Sequence, residues 1–205
     1  MLSELKIKKF LSKTASNDPV PGGGSVSALG AAMAAALSEM VASITIGRKG
    51  FEAYEKEMLE IVQQARSLRR KLVEDIDRDS DAYSQVLEAY RLANDTEEHK
   101  NERTQAVQDG LKQAALIPLG VAKDASELLD LAGKAVTRGN KNAVTDAAVA
   151  AMMARTAILG ALLNVKINLK SIKDLSFVKD VADQVQEIES RVERKEKNIL
   201  NQIDL

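Results

Sequence analysis

Cysteine is absent from all 205 residues of this chain. Its absence excludes disulfides, thiolate metal ligands and cysteine nucleophiles, and a reducing compartment, the cytoplasm, is the expected location. Proline occurs only three times and aromatic residues make up 3% of the chain, whereas the helix formers Ala, Leu, Glu and Lys are abundant. This composition predicts an all-α fold. Because no Pro- or Gly-rich linker divides the sequence, we expect a single domain over residues 1–205.

An excess of either charge is also missing, since the formal net charge is −1. Nothing therefore favours nucleic acid as a partner. Residues 1–13 are amphipathic and lack the apolar core of a signal peptide. Residues 26–46 have the length of a membrane span, but Glu39 and several hydroxyl side chains interrupt them and alanine contributes little hydrophobicity. We expect a buried helix there and no membrane association.

The spacing of apolar residues predicts a bundle of about six helices. Two of them, residues 25–46 and 143–169, are rich in alanine. Small side chains let neighbouring helices approach closely on every side, so both helices are expected to be buried. The last helix, residues 174–203, has near-heptad Val and Ile spacing, which suits packing on a helix of this chain or of a partner. The remaining predicted helices cover about residues 3–14, 52–92 and 96–132, the last with a kink at Pro118.

Three consecutive glycines followed by a serine stand at the start of the first alanine-rich helix. Glycine lets a ligand approach the backbone, and the first turn of a helix offers free N–H groups at the positive end of the helix dipole. An anionic or carbonyl-bearing ligand would fit there. The competing explanation is a helix start in which two prolines direct the chain and the serine caps the first turn. The candidate ligand-binding residues are Gly22, Gly23, Gly24 and Ser25.

Aspartate occupies every second position of residues 75–81. Helical spacing places Asp79 on the apolar stripe between Ile76 and Tyr83, whereas Asp77 points away from that stripe toward solvent. A carboxyl group that faces a core needs a partner or acquires a raised pKa, which makes it a proton donor near neutral pH. Asp79 is therefore a candidate catalytic acid or a buried hydrogen-bonding group. A calcium loop is not indicated, because its glycine and closing glutamate are missing.

Asp146 lies near the start of the second alanine-rich helix, where the helix dipole favours a carboxylate even without a function. Asn164 and Asn168 follow on the same helical face. Eighteen positions separate Asp146 from Asn164, which amounts to about 27 Å along the axis. One small ligand cannot contact both residues in one chain. They would serve opposite ends of a long ligand, or sites completed by a second chain.

The single histidine, His99, lies in a charged helix start and is expected to be exposed rather than catalytic. A set of cations could bind an anionic tail, although such residues usually coat a solvated helix face. These cations are Arg66, Arg69, Arg70, Lys71 and Arg103.

Four segments stand out along the chain: residues 19–25 (PVPGGGS), 77–83 (DRDSDAY), 139–146 (GNKNAVTD) and 164–169 (NVKINL). Taken together and in this order, they resemble the cyclodeaminase/cyclohydrolase family of folate enzymes. The family includes the cyclodeaminase half of formiminotransferase-cyclodeaminase and stand-alone methenyltetrahydrofolate cyclohydrolases. The resemblance implies an all-helical domain that pairs as a homodimer. Thr145 stands where the family commonly has serine, and Tyr83 where it commonly has phenylalanine.

The resemblance implies a tetrahydrofolate derivative as substrate, with no metal and no tightly bound cofactor. The implied reaction converts 5-formiminotetrahydrofolate to 5,10-methenyltetrahydrofolate and ammonia; the alternative is methenyltetrahydrofolate cyclohydrolase, and a formiminotransferase is a possible partner. Asp79 and Asp146 would share the proton transfers. Substrate binding would fall to Tyr83, Asn142, Asn164 and the Gly22 to Ser25 amides. An alternative of another class is a non-enzymatic helical scaffold or adaptor.

Overall fold

The computed structural model describes residues 1–204, and within them all regular structure is helical. Six α-helices and two short 3-10 helices follow one another, as the all-α prediction required. The α-helices are α1 (Ile7–Thr14), α2 (Gly23–Ser43), α3 (Glu55–Tyr90), α4 (Glu97–Arg138), α5 (Val144–Leu169) and α6 (Leu175–Leu200), and the 3-10 helices are Glu52–Tyr54 and Lys141–Ala143.

The alanine-rich helices α2 and α5 lie together in the bundle. Helix α2 packs on α3, α5 and α4, while α4 packs on α3 and α5 from the other side. Alanine allows these close approaches, and most alanines of α2 and α5 are buried as predicted, but Ala36 is exposed and each helix keeps one exposed face. At the α2–α5 contact, a Cβ on Gly160 would lie 2.5 Å from Ser27 Oγ. The buried alanines of α2 are Ala28, Ala31, Ala32, Ala34, Ala35 and Ala42, and those of α5 include Ala147, Ala150, Ala151, Ala154, Ala157 and Ala161.

Helices α2 and α5 run antiparallel. A Cβ on Gly23, at the start of α2, would lie 3.1 Å from Asn164 Nδ2, near the end of α5. At the opposite end of the pair, the Asn140 N–H donates to Thr45 Oγ1 at 2.9 Å. The first turn of α2 and the first turn of α5 therefore lie at opposite ends of the bundle.

Both alanine-rich helices are long and apolar enough to cross a bilayer by length and composition. The bundle buries 56% of the apolar window in α2 and 50% of that in the α5 segment. Glu39 of α2 also accepts hydrogen bonds from Arg66 and Arg69 of α3, at 2.8 and 2.9 Å. We interpret both as core helices with one apolar face left uncovered.

Helix α6 packs on α5 and α4 of the same chain, which answers the question left open by its near-heptad spacing. Asp174 caps it by accepting a hydrogen bond from the Phe177 N–H. The heptad positions that reach the core are Val181, Val185, Val192 and Ile199.

Pro118 lies inside α4, which continues past the predicted end near residue 132 to Arg138. Proline has no N–H, so the carbonyl of Ala114, four residues earlier, has no helical partner. Asn168 of α5 supplies one, because its Nδ2 donates to Ala114 O at 2.7 Å. The interruption in α4 thereby becomes a polar link between α4 and α5.

The prediction that Asp77 points to solvent is wrong, because its side chain is only 8% exposed. Its carboxylate accepts hydrogen bonds from the Leu2 N–H and the Ser3 hydroxyl. The N-terminal segment covers this second face of α3. A single apolar stripe could not reveal that cover.

Candidate active site

Asp79 of α3 faces the first turn of α2. Ser25 is fully buried, and its Oγ lies 2.9 Å from Asp79 Oδ2 and 3.0 Å from the Ile76 carbonyl oxygen. A Cβ on Gly24 would lie 2.5 Å from Asp79 Cγ. Only glycine at this position lets the carboxyl group sit against the helix start.

Burial raises the pKa of the Asp79 carboxyl group above its ordinary value, and hydrogen bonds from the Ser25 hydroxyl and main-chain amide counteract part of that rise. The Ser25 hydroxyl suits both protonation states. An ionised Asp79 accepts its proton, whereas a protonated Asp79 can donate to Oγ while the hydroxyl donates to Ile76 O. Asp79 can therefore hold and release a proton without losing its partner.

The N-cap residue of α2 contributes no side-chain hydrogen bond, and the Ser25 amide is instead satisfied by Asp79 of α3. Gly22 occupies the capping position with an extended backbone, and α2 has no acidic residue of its own in the first turn. Ser25 therefore does not cap the helix, contrary to the purely structural explanation of the sequence. The first-turn amides of Gly23 and Gly24 remain to bind a ligand oxygen beside Asp79.

Asn164 of α5 lies on the other side of the same helix start. Its Nδ2 donates to the Gly160 carbonyl at 2.9 Å, and the side chain is half-buried. Its Oδ1 is left to accept a hydrogen bond from a ligand. The structure thus brings together the glycine run, Ser25, Asp79 and Asn164, from three sequence segments that lie far apart in the chain.

The face of α3 that carries Asp79 continues past the start of α2. Helix α2 begins at Gly23, beside Asp79 and Asn164, whereas α3 runs on to Tyr90 and α5 to Leu169. Tyr83 and Tyr90 lie on the same face of α3 as Asp79 and are 41% and 47% exposed. The expectation that this face of α3 is buried is therefore wrong at these two tyrosines, although Val86 between them is buried beside Gly110 of α4.

Asp146 and Asn142 lie at the opposite end of the bundle. Asp146 is half-buried in the first turn of α5, and Asn142 is exposed beside it. The buried Asn140 orders this corner, since its Oδ1 accepts from the Asn142 N–H at 3.1 Å. One chain does not bring Asp79 and Asp146 together.

His99 lies beside Asp95 at the start of α4, with 2.6 Å between Nδ1 and Oδ1, and 44% of its side chain is exposed. It lies outside the Asp79 cluster, as the sequence predicted. Over residues 1–204, no group of three or more His, Asp or Glu side chains could hold a metal ion.

A carboxyl group held at a glycine-rich helix start, beside the Gly23 and Gly24 amides and the Asn164 side chain, defines the candidate acid–base site of this all-α protein. A sequence profile described as Formiminotransferase-cyclodeaminase matches residues 6–187. The chain belongs to this family, and the family expected from the four sequence segments is confirmed.

Individual relatives of this chain also carry the names of this family. A methenyltetrahydrofolate cyclohydrolase of Methylorubrum extorquens is 37% identical over 85% of this chain and 84% of its own length. The formimidoyltransferase-cyclodeaminase of Sus scrofa is 35% identical over 87% of this chain, which spans 33% of that protein. The crystal structure of formiminotetrahydrofolate cyclodeaminase from Thermotoga maritima matches with a TM-score of 0.89 at 32% identity, covering 99% of this chain and 98% of that one.

Proposed function

We propose that this protein is a formiminotetrahydrofolate cyclodeaminase that forms 5,10-methenyltetrahydrofolate and ammonia. The observation that carries the proposal is the contact of the Asp79 carboxyl group with Ser25 and Gly24 at the start of α2, where burial also raises the pKa of Asp79. Ammonia leaves only if its nitrogen is protonated, so the reaction needs a proton donor beside the bound one-carbon group.

The reaction begins when N10 attacks the formimino carbon and the N10 proton passes to the formimino nitrogen. The bond between that carbon and the resulting amino group then breaks as Asp79 gives its proton to the nitrogen. The products are ammonia, the methenyl cation and an ionised Asp79, so protons and charge balance. Asn164 and the Gly23 and Gly24 amides would orient the one-carbon group and pterin oxygen.

A base must carry the N10 proton, and we assign this role to Asp146 of the partner subunit in a homodimer.

Helices α2 and α5 each carry an exposed apolar stripe. The residues that contact the other helix are Gly30 in α2 and Gly160 in α5. Each lies on the same side of its own stripe when the helix is viewed from outside with its N-terminus at the bottom. Because the helices are antiparallel, the two stripes form one face. Its residues, 39% to 65% exposed, are Val26, Met33, Met40, Ile44, Val149, Met152, Leu163 and Ile167.

The helix register supports this dimer. Gly23 lies beside Asn164, and a Cβ on Gly30 would lie 3.8 Å from Ala157 Cβ. When this antiparallel pairing is continued along the two helices, Asp146 lies at the same height as residue 41 of α2. A two-fold axis that runs across the face, perpendicular to the helices at the height of Met33, places residue 41 of one subunit at the height of residue 25 of the other. It would therefore bring Asp146 of the partner subunit to the level of Ser25 and Asp79.

The size of the face also suits a dimer. Two helices that are about 30 Å long and 10 Å wide present roughly 600 Å². A stable interface buries about 800 Å² on each partner, and flanking residues can supply the difference. A second copy would cover the apolar side chains of both alanine-rich helices.

The cyclohydrolase reaction is the second candidate, favoured by the 37% identity to the Methylorubrum extorquens enzyme. In that reaction water adds to the methenyl carbon, one carbon–nitrogen bond breaks and a proton is released. Measuring methenyltetrahydrofolate absorbance and ammonia with both folates separates the candidates. Methenyl formation with equimolar ammonia is expected. Loss of the methenyl signal without ammonia would assign the cyclohydrolase, and absence of both turnover and folate binding would favour the scaffold.

Subunit mixing tests the shared site. Asp79→Asn and Asp146→Asn homodimers should both be inactive. After the two are unfolded and refolded together, a heterodimer should carry one intact site, so about a quarter of the wild-type activity should return. No recovery would contradict the proposed pairing of Asp79 and Asp146.

A cross-link provides a direct control for the dimer geometry. Because the chain has no cysteine, Met33→Cys creates a single thiol near the proposed axis and should form a disulfide-linked dimer on oxidation. Leu175→Cys, at a residue that is exposed and outside the face, should remain monomeric in denaturing electrophoresis.

The location and the further partner are also proposals. Cysteine absence favours the cytoplasm. A formiminotransferase partner is suggested by the two-part name of the Sus scrofa relative, of which this chain spans about a third. Co-purification of a formiminotransferase with the wild-type chain from a cell extract would test that association.

A further inference from the structure

A basic depression lies at the end of the α3 face that carries Asp79, beside Tyr90. It has a volume of about 470 Å³ and is bounded by the end of α3, the start of α4 and the turn after α5. Tyr90, Lys100, Arg103 and Lys173 contribute to its lining. The sequence placed Arg103 among the candidate cations, but nothing in the sequence joined Lys173 to it.

Two of these cations are available to a ligand. Within residues 1–204, Lys100 pairs with Glu97 at 2.6 Å, whereas Arg103 and Lys173 form no ion pair. Arg103 is half-buried. A half-buried guanidinium group without an acidic partner favours an anionic ligand, especially a carboxylate that can accept two parallel hydrogen bonds.

The turn that carries Lys173 is fixed to α4. Gln108 accepts a hydrogen bond from the Lys173 N–H at 2.7 Å and donates to the Ser171 carbonyl at 3.1 Å. One side chain thus holds both ends of the turn. The α5–α6 connection places Lys173 on one wall of the depression, while Arg103 lies on the wall formed by α4.

The depression lies in line with Asp79. Asp79, Tyr83 and Tyr90 share one face of α3, and the eleven positions from Asp79 to Tyr90 span about 16 Å. A folate places about ten bonds between N10 and the γ-carboxyl carbon of its glutamate, which in an extended chain reach about 12 Å. The long arginine and lysine side chains can cover the remaining distance.

We propose that Arg103 and Lys173 bind the glutamate carboxylates of the folate substrate, with the aminobenzoyl ring lying along Tyr83. This inference rests on the proposed function. It fixes the direction of the ligand, with its pterin at Asp79 and its tail toward the α5–α6 turn. Aromatic contact with Tyr83 and charge-assisted hydrogen bonds at the tail would then contribute to binding.

Paired substrates test this assignment. Wild type, Arg103→Ala, Lys173→Ala and the double variant are assayed with 5,10-methenyl- and 5-formiminotetrahydrofolate monoglutamates and with the matching tetrahydropteroates, which lack glutamate. Each substitution should raise KM for the glutamate forms about tenfold, leave kcat nearly unchanged, and leave KM for the pteroates unchanged. Lys170→Ala, which removes a nearby exposed lysine outside the depression, is the matched control.

The outcomes are distinct. Equal changes in KM for glutamate and pteroate substrates, or no change for either, would overturn the tail site while leaving the proposed function intact. A wild-type protein that turns over no folate at all would overturn the proposed function and the tail site with it. Because both substrates are measured on the same variant, a partly misfolded preparation changes both and cannot imitate the expected result.

Discussion

Gly24 and Asp79 are packed so closely that a Cβ on the glycine would lie 2.5 Å from the aspartate Cγ. Gly24→Ala should therefore displace the carboxyl group and lower kcat/KM by about two orders of magnitude, the range for a misplaced catalytic group. Steady-state kinetics with the folate substrate measures the loss.

Gly30→Ala is the matched control in the same helix, because its new Cβ would meet Ala157 Cβ at an ordinary 3.8 Å. It should keep full activity and gain up to about 1 kcal/mol of stability from the better helix former. Equal activity in the two variants would show that the close approach at Gly24 has no catalytic role.

Ser25→Ala removes a hydroxyl that stabilises the ionised form of Asp79. The pKa of Asp79 should therefore rise further. If protonated Asp79 is the catalytic acid, activity falls as pH increases through that pKa, and the falling limb of the pH–rate profile should move to higher pH. Ser27→Ala is the control, since Ser27 donates to the Gly23 carbonyl within α2. A limb that does not move would separate the pH dependence from Asp79.

Asp79→Asn should abolish turnover and yet stabilise the fold at alkaline pH. Folding raises the pKa of Asp79 above the ordinary carboxyl value. The protonated carboxyl group therefore contributes stability to the wild type that is fully present below about pH 3.8 and is lost as pH rises through the raised folded pKa. Each unit of pKa difference amounts to about 1.4 kcal/mol.

Denaturant unfolding of both proteins at pH 4 and pH 8 measures this effect. The free energy of unfolding of wild type should fall relative to that of Asp79→Asn between the two values. Asp75, whose pKa burial also raises, is present in both proteins and cancels in the comparison. A difference that stays constant with pH would mean that Asp79 does not retain its proton on folding.

Asn168 and Pro118 should be energetically coupled through the Ala114 carbonyl. Asn168→Ala leaves that carbonyl without its partner and should cost about 1 to 2 kcal/mol. In a Pro118→Ala background residue 118 regains an N–H, so the same substitution should cost about 1 kcal/mol less. Free energies of unfolding of the four proteins measure the coupling, and strictly additive effects would argue against the shared carbonyl.

Much of the fold follows from local signals in the sequence. Helix formers, the capping residues Thr96 and Asp174, and small side chains on α2 and α5 determine where helices begin and which are buried. Asp77 was misplaced because its cover comes from residues 1–5, far away in sequence. A periodic stripe reports one buried face and contains no information on a second face covered by an irregular segment.

The site could be predicted only in part. The spacing of Asp79 and the glycine run identified two residues that do meet. Asn164 joins them because α2 and α5 are antiparallel. The same geometry places Asp146 at the opposite end of the bundle. Relative helix direction is a property of the packed bundle, since the long α3–α4 hairpin separates the two alanine-rich segments in sequence.

The late start of α2 changes the cross-section of the bundle along its length. Helix α2 packs on α3, α4 and α5 between Gly23 and Ser43, whereas α3 continues past Gly23 to Tyr90, and its tyrosines are exposed there. The amides of residues 80–90 should therefore exchange with deuterated water sooner than those of residues 58–76. A ligand along this face of α3 would lie beyond the start of α2, and slower exchange over residues 80–90 would then report its binding in a catalytically inactive Asp79→Asn protein as well.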